Sequence, residues 1–168
     1  MINIVALKQK FGTCGPTSFK MVMDFYGVNK PLEYWKKSSG RDFIDEDTGK
    51  SEFGYFDDKF VESVKEFGFD GFCKDNSNVE EIKKYLEKSI PVIVDWFSPE
   101  EESHFSVVVG LDNDYIFIAD PHFGEIKKYD LEWFLKRWSD HGLVPKDYPK
   151  NNPGWVHRIC VVYPKTLN

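Results

Sequence analysis

The chain has 168 residues, 41% of them apolar and 17% aromatic, with a formal charge of −6 at pH 7. That length and apolar content suit one ordinary folded domain, expected to span residues 1–168, and argue against a disordered chain. A pI near 5.3 with a mean hydropathy of −0.47 leaves no surplus of Lys and Arg to neutralise phosphates, which excludes nucleic acid as the expected partner.

Met1 to Lys10 lack the basic start and long apolar core of a secretory signal, and no apolar run reaches the length of a bilayer span. The default expectation is a cytoplasmic protein without a membrane span, with secretion after removal of a signal as the alternative. Cys14 then heads a Cys-Gly-Pro-Thr-Ser run. Phe19, Val22, Met23 and Tyr26 follow at helical spacing, and Gly27 supplies the stop, so a helix is predicted to begin at the cysteine. A helix N-terminus carries unpaired N–H groups and partial positive charge, an environment that favours a thiolate. Gly15 allows close approach of a substrate, and Pro16 is tolerated in the first turn, where its missing N–H costs nothing. Gln9 adds a side-chain amide able to donate to an oxyanion beside the thiol.

Lys36 to Tyr55 mix Ser, Gly, Asp and Glu without a period and read as a mobile surface segment. Asp42, Asp45, Glu46 and Asp47 within it do not have the spacing of an EF-hand loop, and a solvated acidic face is the better reading. Phe60, Val61, Val64 and Phe67 ahead of Gly68 predict a second helix. Val79, Ile82, Tyr85 and Leu86 predict a third, with Ser77 and Glu80 spaced as a capping box. Phe69 to Lys74 reads as a short strand holding Cys73 in a structural role. The three cysteines, Cys14, Cys73 and Cys160, cannot all pair and show no zinc or redox spacing, so a disulfide framework is not expected.

After Pro91 the pattern becomes β: Val92 to Val94, Phe105 to Leu111 and Tyr115 to Ala119. Asn113-Asp114 makes the last two a hairpin. The run Val107-Val108-Val109 implies a strand covered on both faces. His104 begins one hairpin strand and Asp120 closes the other, so pairing brings imidazole and carboxylate together. Asp130 is expected to cap a helix carrying Leu131, Phe134, Leu135 and Trp138 as core, and Val156 to Tyr163 to form a closing strand. Ser139 to Trp155, with Pro145, Pro149 and Pro153, is long for a loop and reads as a lid or substrate wall. Of the remaining histidines, His122 lies in the turn after Asp120, His141 in the Pro-rich loop and His157 at the closing strand; His104 ranks first as the base.

Singly, each of these residues has an ordinary structural explanation. A thiol at a helix start together with a distant His and Asp is the sequence form of a Cys-His nucleophile system. Gln9-Lys-Phe-Gly-Thr-Cys14-Gly-Pro-Thr-Ser18, Pro91-Val-Ile-Val94, His104-Phe-Ser-Val-Val-Val-Gly110 and Ala119-Asp120-Pro121-His-Phe-Gly124 resemble the C39-like branch of the papain-like cysteine peptidases over most of the chain. The resemblance implies an α+β fold with N-terminal helices packed on an antiparallel sheet. It also implies Cys14 as nucleophile, His104 as general base, Asp120 as its orienter and Gln9 in the oxyanion hole. Bacteriocin-processing members usually carry an acidic residue before the cysteine and a fused transporter; here Thr13 stands there, and the likeness is closer to stand-alone C39-like domains.

The expected reaction is cleavage of a peptide or isopeptide bond through a Cys14 acyl-enzyme, with a peptide or protein substrate, no cofactor and no metal. The alternatives are a non-catalytic peptide-binding module of the same fold, and acyl transfer or amide hydrolysis by the same thiol. Oligomeric state is not legible in the sequence.

Overall fold

A computed structural model of the chain describes residues 1–38, 58–139 and 156–167. Among the described residues five α-helices, α1 (Cys14–Phe25), α2 (Leu32–Ser38), α3 (Asp58–Ser63), α4 (Val79–Glu87) and α5 (Leu131–Leu135), accompany six strands. The strands are β1 (Phe69–Lys74), β2 (Val92–Ser98), β3 (Glu102–Leu111), β4 (Tyr115–Asp120), β5 (Glu125–Asp130) and β6 (Ile159–Pro164). They form one sheet in the order β1-β6-β2-β3-β4-β5, with every neighbouring pair antiparallel. The architecture is the expected α+β arrangement of helices on an antiparallel sheet.

The central strands are apolar on both sides because both faces are covered. Val107 and Val109 enter a core with Phe19, Val22 and Met23 of α1 and Trp35 of α2, whereas Val108 points into a second core with Ile82 of α4 and Phe134 of α5. All three valines are fully buried, which is why β3 reads as a continuous apolar run instead of an alternation. Gly27, at φ 85°, follows the end of α1, whereas the helix expected from Phe60 to Phe67 breaks after Ser63 and continues only as a 3-10 turn, Lys65–Phe67, closed by Gly68 at φ 84°.

Several local expectations are corrected. The helix α4 is capped by Asn78, whose side chain accepts from the Glu81 N–H, while Ser77 Oγ donates to the Glu81 carboxylate; the capping box drawn between Ser77 and Glu80 is displaced by one residue. Lys36 to Ser38, assigned to a surface segment, close α2, whose Trp35 is fully buried. The rest of that segment, including Asp42, Asp45, Glu46 and Asp47, lies outside the described residues, as do residues 140–155 with His141. Strand β5 departs from the expectation: it is a largely exposed, charge-rich edge strand whose sequence shows no apolar alternation. The helix after Asp130 ends at Leu135, so Trp138 lies beyond it, and β6 begins at Ile159, leaving His157 outside the strand.

Cys73 and Cys160 face each other across β1 and β6 and are joined by a disulfide, which corrects the expectation of no disulfide framework and gives Cys73 its structural role. The pairing is set by strand order, since β6 inserts beside β1 only after the rest of the sheet has intervened in the chain. Cys14 is the free cysteine.

Candidate active site

Residues 1–13 run along the sheet before α1 begins. Ile2 N donates to Val109 O at 2.6 Å and Gln9 N to Pro121 O at 2.7 Å, while Ile2 and Ile4 are buried. Gln9 is thereby fastened beside the end of the β3–β4 hairpin. A turn follows in which Thr13 Oγ1 donates to Lys10 O and accepts from Lys10 N, and Cys14 is the first residue of α1. Its N–H therefore has no intrahelical acceptor. Ser18 Oγ, fully buried, donates to Phe105 O at 3.0 Å, which ties the cysteine's helix to β3 next to His104.

The hairpin does what its register predicts. His104, fully buried, places Nε2 at 2.8 Å from Asp120 Oδ1. The same carboxylate accepts from the His122 backbone N–H at 2.9 Å and from Tyr129 Oη at 3.3 Å, so Asp120 is held by three donors. Trp96, directly opposite His104 in the β2–β3 register, sets its ring edge-on at 6.1 Å. With Nε2 so engaged, Nδ1 turns toward the Cys14 thiol. Burial works against a charge on His104, but the Asp120 carboxylate, Cys14 and Glu101 outweigh it and hold its pKa well above 6.5. Asp120 thus fixes the orientation of an imidazole that favours its protonated form beside the sulfur.

Glu101 is the residue that sequence reading missed. It lies in the turn between β2 and β3, three positions before the histidine, flanked by Glu100 and Glu102 and indistinguishable from them in sequence. Its two oxygens each stand 2.7 Å from Gln9 Nε2. One of them also meets His122 Nδ1 at 2.6 Å, and the other lies 3.3 Å from His104 Nδ1. His104 foremost, and then His122 and Gln9, overcome the cost of burial and lower the Glu101 pKa to about 2. The amide donor expected to meet an oxyanion is thus occupied by an anion from the chain itself. Cys14, His104, Asp120 and Gln9 are all brought together, and Glu101, His122 and Tyr129 join them.

Residues 1–144 match the Peptidase_C39 like family. The chain belongs to that family. It is 29% identical over 148 residues to the lactococcin-G-processing and transport ATP-binding protein LagD of Lactococcus lactis subsp. lactis, covering 87% of this chain. It spans only 19% of the length of that relative. Among solved structures, the peptidase domain of Streptococcus ComA, a bifunctional ABC transporter involved in quorum sensing, superposes with a TM-score of 0.66 at 19% identity. That match covers 98% of this chain and all of the other. A double glycine motif protease from an AMS/PCAT transporter, in complex with its leader peptide, gives 0.65 at 20% identity, covering 97% and 93% of the two chains. These likenesses fix the fold of this C39-like chain.

His157 stands apart from the site. Its ring stacks on Trp138 at 4.6 Å, its N–H donates to Trp138 O, and its carbonyl accepts from Ser77 ahead of α4; burial lowers its pKa. A cavity of about 470 Å³ opens near Met1, Phe25 and Gly110, at the other end of β3 from His104. Among the described residues no helix is long and apolar enough to cross a membrane.

Proposed function

We propose that this chain is a cysteine peptidase that cleaves a peptide amide bond through an acyl-enzyme on Cys14, and that residues 1–168 form a single such domain. The observation that carries the reading is the chain of contacts from Cys14 at the start of α1, through His104, to Asp120 at 2.8 Å from Nε2.

The Cys14 sulfur attacks the carbonyl carbon, and the electron pair displaced from the C=O bond moves onto oxygen. Gln9 Nε2 and the Cys14 N–H donate to that oxyanion once the substrate displaces Glu101, and each such donor is worth about 3 kcal/mol. Collapse expels the amine, which takes its proton from His104. Water, deprotonated by His104, then attacks the thioester and releases the acid and the free thiol. Asp120 holds the imidazole in place through both steps.

The substrate is a peptide or protein segment, in keeping with the leader peptide held in complex by the double glycine motif protease named above. The setting is the cytoplasm or, after removal of a signal, an extracellular space; the Cys73–Cys160 disulfide favours the second, since such bonds persist in oxidising compartments. Mass spectrometry of a peptide panel that includes double-glycine sequences tests the reading. Cleavage by the native chain and a trapped adduct of one peptide fragment on Cys14, both absent in Cys14→Ala, are expected. Peptide that binds and is returned whole would favour the non-catalytic module.

A further inference from the structure

Cys14, Glu101 and His104 offer a sulfur, a carboxylate oxygen and Nδ1 that all lie within 4.8 Å of one another. We infer that these three residues form a zinc site that reversibly blocks the thiol, with a fourth position left to water. The donor set is the first ground. A borderline-soft ion such as Zn²⁺ is bound by thiolate, imidazole and carboxylate together, with Zn–S near 2.3 Å and Zn–N or Zn–O near 2.0–2.2 Å. Ligand atoms on such a tetrahedral ion stand about 3.3–3.7 Å apart. The present span exceeds that spacing by about an ångström, so binding would draw the three atoms together.

The second ground is His104 Nδ1, which is fully buried and faces the other two ligand atoms, with Glu101 at 3.3 Å and no contact of full hydrogen-bond geometry. Once the imidazole gives up its Nδ1 proton, the lone pair there is aimed between the sulfur and the carboxylate, where a metal ion would use it. The supporting groups are a third. Metal-bound histidines almost always give their other ring nitrogen to a carboxylate or carbonyl, and bound carboxylates are themselves hydrogen-bonded. His104 Nε2 already meets Asp120 at 2.8 Å. Glu101 is already steadied by Gln9 at 2.7 Å and by His122 at 2.6 Å.

On binding, Sγ, Nδ1 and one Glu101 oxygen each give an electron pair to the ion, and the proton shared by Cys14 and His104 passes to solvent. No oxidant or reductant is involved. The sulfur that attacks substrate in the proposed reaction is then capped, and a chelator frees it. The inference rests on the same sulfur and imidazole as the peptidase reading but does not need turnover.

The test uses the full chain in metal-free buffer. One equivalent of Zn²⁺ is expected to suppress iodoacetamide labelling of Cys14 at least about tenfold, with EDTA restoring it. Co²⁺ in place of zinc should give a thiolate-to-metal charge-transfer band that Cys14→Ser lacks. Glu101→Ala and the isosteric Glu101→Gln should each weaken zinc binding, read by competition with a chromophoric chelator, by at least about tenfold. Labelling indifferent to zinc, or Glu101 variants that bind the ion as tightly as the native chain, would overturn the site. Zinc protection without peptide turnover would support the metal site while sinking the peptidase reading; turnover without zinc protection would do the reverse.

Discussion

Gln9 donates its side-chain amide to both oxygens of Glu101 at 2.7 Å, so the donor proposed for the oxyanion is already spoken for by the chain. A substrate carbonyl must displace that carboxylate before Gln9 can help it. Net, a hydrogen bond to a charged group is worth about 1.5–3 kcal/mol. Glu101→Ala in metal-free buffer should therefore raise the rate of Cys14 acylation by an activated peptide ester by roughly tenfold. Stopped-flow release of the leaving group measures it, and a slower variant would mean that Glu101 aids the reaction.

The two ends of the pH scale should report two different residues. Against burial, Asp120, Cys14 and Glu101 raise the folded His104 pKa well above 6.5. Its stabilising contribution is complete below pH 6.5 and is lost as pH rises through the folded value. Glu101 runs the other way: held near a pKa of about 2 against an ordinary 4.5, it contributes fully above pH 4.5 and loses this as pH falls toward 2. Urea unfolding across pH should show the alkaline decline flatten in Asp120→Asn while the acid decline stays. An alkaline limb unchanged in that variant would separate His104 from Asp120.

Gly124 sets the place of Gln9 from a distance. At φ 73° it sits against the N-terminal segment, where an added Cβ would come within 2.8 Å of Lys8 Cβ and 3.0 Å of Lys8 Cα. Gly124→Ala must push Lys8 away and carry Gln9 with it. The expected result is a loss of peptide-ester acylation of about tenfold or more with little change in iodoacetamide labelling, which uses no oxyanion hole. Equal loss of both would point to damage at Cys14 itself.

The Cys73–Cys160 disulfide closes a long stretch of chain, at a sequence separation of 87. Cross-links over such loops contribute about 2–4 kcal/mol. Reduction, or the Cys73→Ser, Cys160→Ser pair, should lower the unfolding free energy by that amount and leave the reactivity of Cys14 in place. Denaturant titration with and without a reductant measures it; an unchanged midpoint would remove the bond from the stability of the fold.

What was legible in the sequence was local chemistry with a periodic context. Cys14 stood out because a helical stripe followed it, and His104 and Asp120 because a hairpin signal at Asn113-Asp114 implied their approach; Asp112 Oδ1, accepting from the Asp114 and Tyr115 N–H groups, closes that turn. Glu101 and Tyr129 were silent because each looks like its neighbours: one acid among three in a turn, one aromatic in a charged edge strand. The disulfide was hidden by strand order, since nothing in the sequence places β6 next to β1. His122 was visible only as a rival base, and its hydrogen bond to Glu101 gives it a different place.

The pH-resolved rate of iodoacetamide alkylation at Cys14, mapped by mass spectrometry in metal-free buffer, bears most directly on the pairing of sulfur and imidazole. Fast labelling at neutral pH, slowed in His104→Ala, is expected. Labelling no faster than that of a free thiol, and the same in His104→Ala, would contradict it.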